Sequence, residues 1–234
     1  MEDQIKTSIV IRTHNHKKQL ERLLKKINEQ KQVTKPEVIV IDSSSTDGTQ
    51  DLAIKKDCKI VNINPKNFSH AYTFNLGAEN SKGKIIIYAS VDIMPKNDLW
   101  LYHLIKHFKN KKVAGVFSKQ EPIKNFNAIE EFKLKRMFPD VGSSPAFFSN
   151  ASGAIRKDVW KKIKYDENTP FQYVGGEDQK LVVEAKKKGY EVIYEPESIV
   201  YHSHKYSMIS RLKKAYEGSL NKEKVKKWEE NIFI

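Results

Sequence analysis

The chain has 234 residues, 39% hydrophobic and 30% charged, which is enough apolar material for a sizeable core and leaves no long polar stretch that reads as disorder. Lys and Arg number 42 against 29 Asp and Glu, and the resulting net charge of +13 favours anionic partners: nucleotide phosphates, anionic lipid or nucleic acid. The single cysteine, Cys58, excludes an internal disulfide. No apolar run approaches the roughly 20 residues of a membrane span, and MEDQIKTSIV carries no signal pattern, so the chain is expected to be cytoplasmic.

The first half alternates strands and helices. TSIVIRT (Thr7–Thr13) is a β-branched strand, and residues 17–30 follow with Leu20, Leu23, Leu24 and Ile27 at helical spacing. PEVIVID (36–42) is a second buried strand, and SSSTDGTQDLAIKK holds a turn and then a helix. CKIVNIN (58–64) is a third strand. FSHAYTFNLGAENSKG reads as a helix capped by Ser69 and ended by Gly83, and KIIIYASVD is the fourth strand. This alternation predicts a parallel, doubly wound sheet. The second half is less regular. It predicts a helix over 97–110, a strand over 113–120, a helix and loop within 122–145 and a strand running into a helix across SNASGAIRKDVWKKI. A helix over 177–189 and two short strands, YEVIYE and SIVYHSH, come next, then a basic, mostly helical tail.

Ligands in open parallel sheets bind beyond the carboxyl ends of the strands. Thr13, His14 and Asn15 follow the first strand, Asp42 closes the second ahead of SSSTDG, and Asp92 closes the fourth. Each is also explicable as a turn or a helix cap, since Ser, Thr and Asp accept bonds from free amides. Their recurrence at three strand ends is the stronger observation. In VGGEDQ (174–179), Glu177 and Asp178 begin a helix. They either stabilise its positive end, by roughly 0.3–1 kcal/mol, or hold a carboxylate base at a pocket wall beside a Gly-Gly hinge. In VYHSH (200–204), His202 and His204 share a strand face, as metal ligands or as an exposed strand end. Together the groups suit breakage of a bond to a diphosphate leaving group. That reaction needs a divalent cation on carboxylate and imidazole, a carboxylate base for the attacking hydroxyl, and acceptors for a ribose and base.

With SIVIRTHN, VIVIDSSSTDGT, NFSHAYTFNLGAENSKGKIIIYASVDIMP, FFSNASGAIRKDVW, GGEDQKLVVEAKKKGY and SIVYHSHKYS in this order, the chain resembles the family-2 glycosyltransferases of GT-A fold. Within them it is most similar to the bacterial rhamnosyltransferase-like branch. The resemblance implies an α/β, Rossmann-like, mostly parallel sheet flanked by helices. A single domain (1–204) would carry a basic helical tail (205–234). It implies that Thr13 and Asn15 line a nucleotide pocket, that Asp42 binds the base or ribose and that Asp47 shapes the loop. His70, Asn75 and Ser90 would lie near the donor. Asp92 would be the metal-binding aspartate, with His202, or else His204, completing a Mn²⁺ or Mg²⁺ site; an imidazole ligand favours Mn²⁺. Asp178 would be the general base of a single inverting displacement, supported by Glu177. Partners would be a nucleoside-diphosphate-sugar donor and a glycan or lipid-linked acceptor, the latter bound within 121–148.

The chain departs from the family pattern at several positions. Ser90-Val91-Asp92 keeps one carboxylate where the family has D-x-D. Ala71 and Phe74 stand where a glycine and an arginine are expected, so a fixed cation near the donor is missing there. Arg12 stands where many members have proline. In the tail, Met208, Ile209, Leu212, Ala215 and Tyr216 recur at helical spacing among lysines. This is either a helix packed on the domain or a contact with an anionic membrane at the inner face of the cell membrane. Two other classes fit parts of the sequence: a catalytically degenerate nucleotide-sugar-binding protein, and a nucleic-acid-binding protein. The second lacks a recognition helix or an aromatic RNA-binding signature, so no nucleic acid is expected.

Overall fold

A computed structural model describes residues 6–123, 128–141, 147–167 and 176–202. The elements in chain order are β1 (Thr7–Thr13), α1 (Lys17–Asn28), β2 (Glu37–Asp42), α2 (Thr49–Lys55), β3 (Lys59–Asn62), α3 (His70–Asn80), β4 (Ile85–Ser90) and β5 (Met94–Pro95). They continue with α4 (Trp100–Ile105), β6 (Val113–Glu121), α5 (Ala128–Met137), β7 (Ser152–Arg156), α6 (Lys157–Ile163), α7 (Gly176–Lys187) and β8 (Glu191–Tyr201). The eight strands form one sheet, ordered β3-β2-β1-β4-β7-β6-β8-β5. Strands β3, β2, β1 and β4 are parallel, as expected from the first half of the sequence. Beyond β4 the sheet becomes mixed: β7 runs antiparallel between β4 and β6, β8 is parallel to β6, and β5 is antiparallel on β8.

Alternation along the parallel strands divides the core between the two faces. Ile9, Ile11, Val40, Ile85 and Ile87 pack with Leu20, Leu23, Leu24 and Ile27 of α1 and with α4. Val10, Ile39, Ile41, Ile86 and Tyr88 pack with Phe74 and Ala78 of α3, Trp160 of α6 and Leu181 of α7. Full burial of one such side chain contributes roughly 1.5–3 kcal/mol, so the two faces lock the sheet between its helical layers.

Several boundaries differ from the sequence reading, each for a local reason. Helix α3 is capped by Ser69, whose hydroxyl accepts from the Tyr72 amide, but it ends at Asn80 rather than at Gly83. Gly83 instead lets two backbones meet: a Cβ there would lie 2.5 Å from the Ser8 amide nitrogen. The helix expected over 97–110 starts at Trp100, and residues 106–109 tighten into a 3-10 turn. The two short strands expected near the C-terminus are one strand, β8, whose pairing with β6 shifts register between Ser118 and Lys119. Such a shift absorbs the break at Pro196, which has no amide to donate. The two-residue β5 was not expected. The tail, 205–234, and His204 lie outside the described residues, as do Val174 and Gly175 of the Gly-Gly segment. Among the described residues no helix is long and apolar enough to cross a membrane.

Candidate functional site

A cleft of about 510 Å³ opens at the carboxyl ends of β1, β2 and β4. Its lining includes Arg12, Thr13, His16, His70, Ser90 and Asp92. The loop after β2 is tied to the loop after β1 by short polar side chains. Asn15 takes a left-handed backbone (φ 54°), which asparagine tolerates well. Its Oδ1 accepts from the Thr46 amide at 2.8 Å, and its own amide donates to Ser45 Oγ at 2.8 Å. Asp47 accepts from the amides of Lys17 (3.0 Å) and Thr49 (3.1 Å), which links the starts of α1 and α2. Asp42 is fully buried under the loop. Its carboxylate accepts from the Ser45 amide and hydroxyl and from Gln50 Nε2, at 2.5–2.9 Å. It therefore holds the loop from below and is not part of the cleft lining. By contrast, Thr13 Oγ1 and His16 Nδ1 are buried in the lining and meet no hydrogen-bond partner among the described residues. Buried polar atoms are almost always satisfied, so such a pair in a cleft wall offers hydrogen-bonding positions to solvent or to a ligand's polar groups.

Asp92 and His202 come together on one rim. The chain turns after β4, with the Ile93 amide donating to the Ser90 carbonyl at 3.2 Å. Strand β5 then pairs Met94 with Tyr201, which brings Asp92 beside the residue following β8. Asp92 Oδ1 and His202 Nε2 lie 3.5 Å apart. His202 Nδ1 is 2.8 Å from Gln120 Oε1. The amide oxygen can only accept, so Nδ1 donates to it and Nε2 is the ring nitrogen that faces Asp92. Two ligand atoms each about 2.1–2.2 Å from one ion sit at such a spacing, and an imidazole oriented through its other nitrogen is the usual support for a metal ligand. The residues present thus fit a divalent cation with one carboxylate and one imidazole. A different group, His103, Glu195 and Glu197, also places three ligand atoms within 4.8 Å of one another. There the Lys106 ammonium already sits 2.6 Å from Glu197 and 3.0 Å from Glu195, so a protein cation fills the position.

Glu177 and Asp178 are both buried in the first turn of α7. Asp178 accepts from the Asn150 backbone amide (3.2 Å) and from the Asn150 side-chain amide, and the Tyr165 hydroxyl donates to Asn150 Oδ1 at 2.8 Å. Burial pushes the Asp178 carboxyl well above the ordinary carboxylate range, and the adjacent Glu177 charge adds to it. Burial also raises Glu177, to about 7, and its Oε2 meets no hydrogen-bond partner among the described residues. A carboxyl that titrates near neutrality is suited to proton transfer. Near the pair, Arg12 works in the opposite direction and favours the ionised forms of both.

The two α3 residues expected near the donor separate. His70 lines the cleft and takes a 2.5 Å contact from the Arg12 guanidinium on Nδ1. Asn75 is buried and bonds Tyr165 O, Glu167 Oε1, Trp160 Nε1 and the Tyr165 amide, at 2.8–3.0 Å. It clamps α3 to the end of α6 rather than facing the cleft. Asn150, Gln120, Tyr165 and His16 were not singled out from sequence. Asn150 lies inside the FFSNASGAIRKDVW fragment, but its role, like those of the other three, comes from contacts between distant segments.

The glycosyltransferase family 2 model matches residues 8–163, which spans β1 through α6. The chain is 30% identical over 192 residues to the O-antigen chain rhamnosyltransferase WbaN of Salmonella anatum, covering 76% of this chain and 60% of that protein. It is 28% identical over 217 residues to the O-antigen chain rhamnosyltransferase RfbN of Salmonella typhimurium, covering 87% and 68%. The chain thus spans roughly two-thirds of the length of these curated relatives. The mannosyltransferase PcManGT of Pyrobaculum calidifontis, solved with GDP-Man and Mn²⁺, superposes with a TM-score of 0.66 at 19% identity, over 88% of this chain and 59% of that one. At that identity the likeness speaks for the GT-A fold alone. With the strand-end cleft, the sheet order and the family match in agreement, this chain belongs to glycosyltransferase family 2.

Proposed function

We propose that the chain is an inverting glycosyltransferase of bacterial surface polysaccharide synthesis. It moves a sugar from a nucleoside-diphosphate-sugar to a hydroxyl of a glycan or lipid-linked acceptor. The observation that carries this reading is the approach of Asp92 to His202 at 3.5 Å on the rim of a cleft whose wall holds Thr13 and His16 atoms that meet no partner among the described residues. The two Salmonella relatives make rhamnose the first sugar to test.

In this reading the nucleotide lies along the latched loops after β1 and β2. Thr13 and His16 contact it directly, while Asn15, Asp42 and Asp47 hold the loops in shape. Mn²⁺ or Mg²⁺ held by Asp92 and His202 would supply positive charge for the diphosphate leaving group. Ser90 would offer a hydroxyl where a second carboxylate is missing. The acceptor hydroxyl loses its proton to Asp178 while its oxygen attacks the anomeric carbon from the face opposite the diphosphate. The C–O bond to the diphosphate breaks as the new one forms. Asn150 keeps Asp178 in place, and Glu177 raises its basicity. The basic segment 205–234 would contact an anionic membrane surface that carries the acceptor. Equal co-sedimentation of the full-length and Lys205-truncated proteins with anionic liposomes would remove that last element.

The test of the main reading is a thermal-shift screen of nucleoside diphosphates and nucleotide sugars, with and without Mn²⁺, on wild type and Asp92→Ala. A ligand that binds only the native state raises the melting temperature. The expected result is a Mn²⁺-dependent shift with one nucleotide that disappears in the variant. Failure of every nucleotide to shift the wild type would refute the proposal.

A further inference from the structure

Among the described residues Arg12 is the one cation in the lining of the cleft, apart from what its histidines carry on protonation. It comes from β1, where register pairs it with Ser90, two residues before Asp92. Its guanidinium carbon lies 4.2 Å from the centroid of the Phe74 ring, and its Nη1 contacts His70 Nδ1. Phe74 is itself wedged against Tyr88 and Tyr165, with ring centroids 4.7 and 5.1 Å away. The guanidinium is therefore held over the face of a packed aromatic cluster. A cation over an aromatic face is positioned, but not neutralised.

What is missing is an anion. Among the described residues no carboxylate lies within the 4.0 Å of an ion pair with Arg12, although Asp178, Glu177 and Asp92 all act on it at longer range. A guanidinium has five N–H donors, and the contact with His70 is its one hydrogen bond among the described residues. Arg12 is half-buried, and a charge partly withdrawn from water without a close counterion is unfavourable, a cost that a bound anion would offset. The planar fork of arginine matches phosphate oxygens in a two-pronged geometry. Two polar atoms without a partner among the described residues, on Thr13 and His16, lie in the same wall. Phe74 occupies the position where the family pattern places an arginine. The face of that ring is where the Arg12 guanidinium rests, so β1 places a cation over the position from which α3 supplies none.

We infer that Arg12 is the anion receptor of this cleft: its guanidinium, laid on Phe74 and braced by His70, grips the diphosphate of the sugar donor. The inference rests on the nucleotide-sugar reading above. It goes beyond that reading by assigning the diphosphate contact to a β1 residue.

The experiment is a binding series by calorimetry with one nucleoside, its monophosphate and its diphosphate, on wild type, Arg12→Gln and Arg12→Lys, using the base identified in the screen. For Arg12→Gln, diphosphate affinity is expected to fall about tenfold or more, as for loss of a charge-assisted hydrogen bond. The monophosphate should lose less, and nucleoside affinity should stay unchanged. Arg12→Lys, which keeps charge and stem, is expected to recover part of the diphosphate affinity without restoring all of it. An equal loss for all three ligands would mean that Arg12 only supports the fold of the cleft, and no loss for any would mean that its charge faces something else. Either result overturns the inference while leaving the nucleotide-sugar reading intact. Absence of nucleotide binding by the wild type overturns both.

Discussion

Glu177→Gln is expected to make the protein more stable and less active at neutral pH. The ordinary pKa of this carboxyl is 4.5, and burial raises it to about 7 in the folded chain. Between those values the folded state holds a proton that the unfolded state has released, so native stability falls as pH rises through this window and levels off above it. At 1.36 kcal/mol per pH unit, the rise from 4.5 to about 7 gives a penalty on the order of 3 kcal/mol at pH 8. Glutamine has the same shape and no charge to desolvate, so the variant escapes the penalty. For a chain of this size the gain corresponds to roughly 6–12 °C in melting temperature. The assay is thermal unfolding of both proteins from pH 4.5 to 8. The gap should be near zero at pH 4.5, open toward pH 7 and then stay constant. Removing the Glu177 charge also takes away one of the influences that raise Asp178, which acts in the same direction. A substitution that stabilises a protein while impairing turnover marks a site kept strained for function. Equal melting temperatures at pH 8, or a gap that ignores pH, would refute the electrostatic argument.

Three further outcomes follow from the geometry. Asp178→Asn keeps the contact with the Asn150 amide but not the base, and sugar transfer followed by release of nucleoside diphosphate should drop by about 100- to 10,000-fold, with nucleotide binding unchanged. Gln120→Leu removes the acceptor that orients His202, so titration of Mn²⁺ in the presence of nucleotide should show affinity about 10- to 100-fold weaker, with the fold intact by circular dichroism. Gly77→Ala drives a methyl to within 2.3 Å of Val10 Cγ1 at the centre of β1, a clash expected to cost about 1–3 kcal/mol in urea unfolding. Adding Val10→Ala should recover part of that loss, and failure to do so would mean that the helix backbone, not the side-chain contact, carries the effect.

The sequence alone determined the parallel half of the sheet and the places where polar residues leave it. Runs such as SIVIR and KIIIYAS can only be buried on both faces, and the 3.6-residue spacing of Leu20, Leu23, Leu24 and Ile27 allows only a helix on one of them. Strand ends then follow from where the apolar run stops, which is why Thr13 and Asp92 were legible as cleft residues. The same rule overreached at Asp42 and Asn75. Chain position says that a polar side chain is near a site, but not whether neighbours already use up its hydrogen bonds. Only the tertiary structure decided that Asp42 lies beneath its loop and that Asn75 joins α3 to Tyr165. It also decided what meets across long separations. The pairing of β5 with β8 is two residues long and includes a proline, too short to leave a periodic signal, yet it sets Asp92 against His202. Likewise Arg12 and Phe74 are each odd in a linear reading. They make sense together only because β1 and α3 pack side by side, where one residue's charge rests on the other's ring.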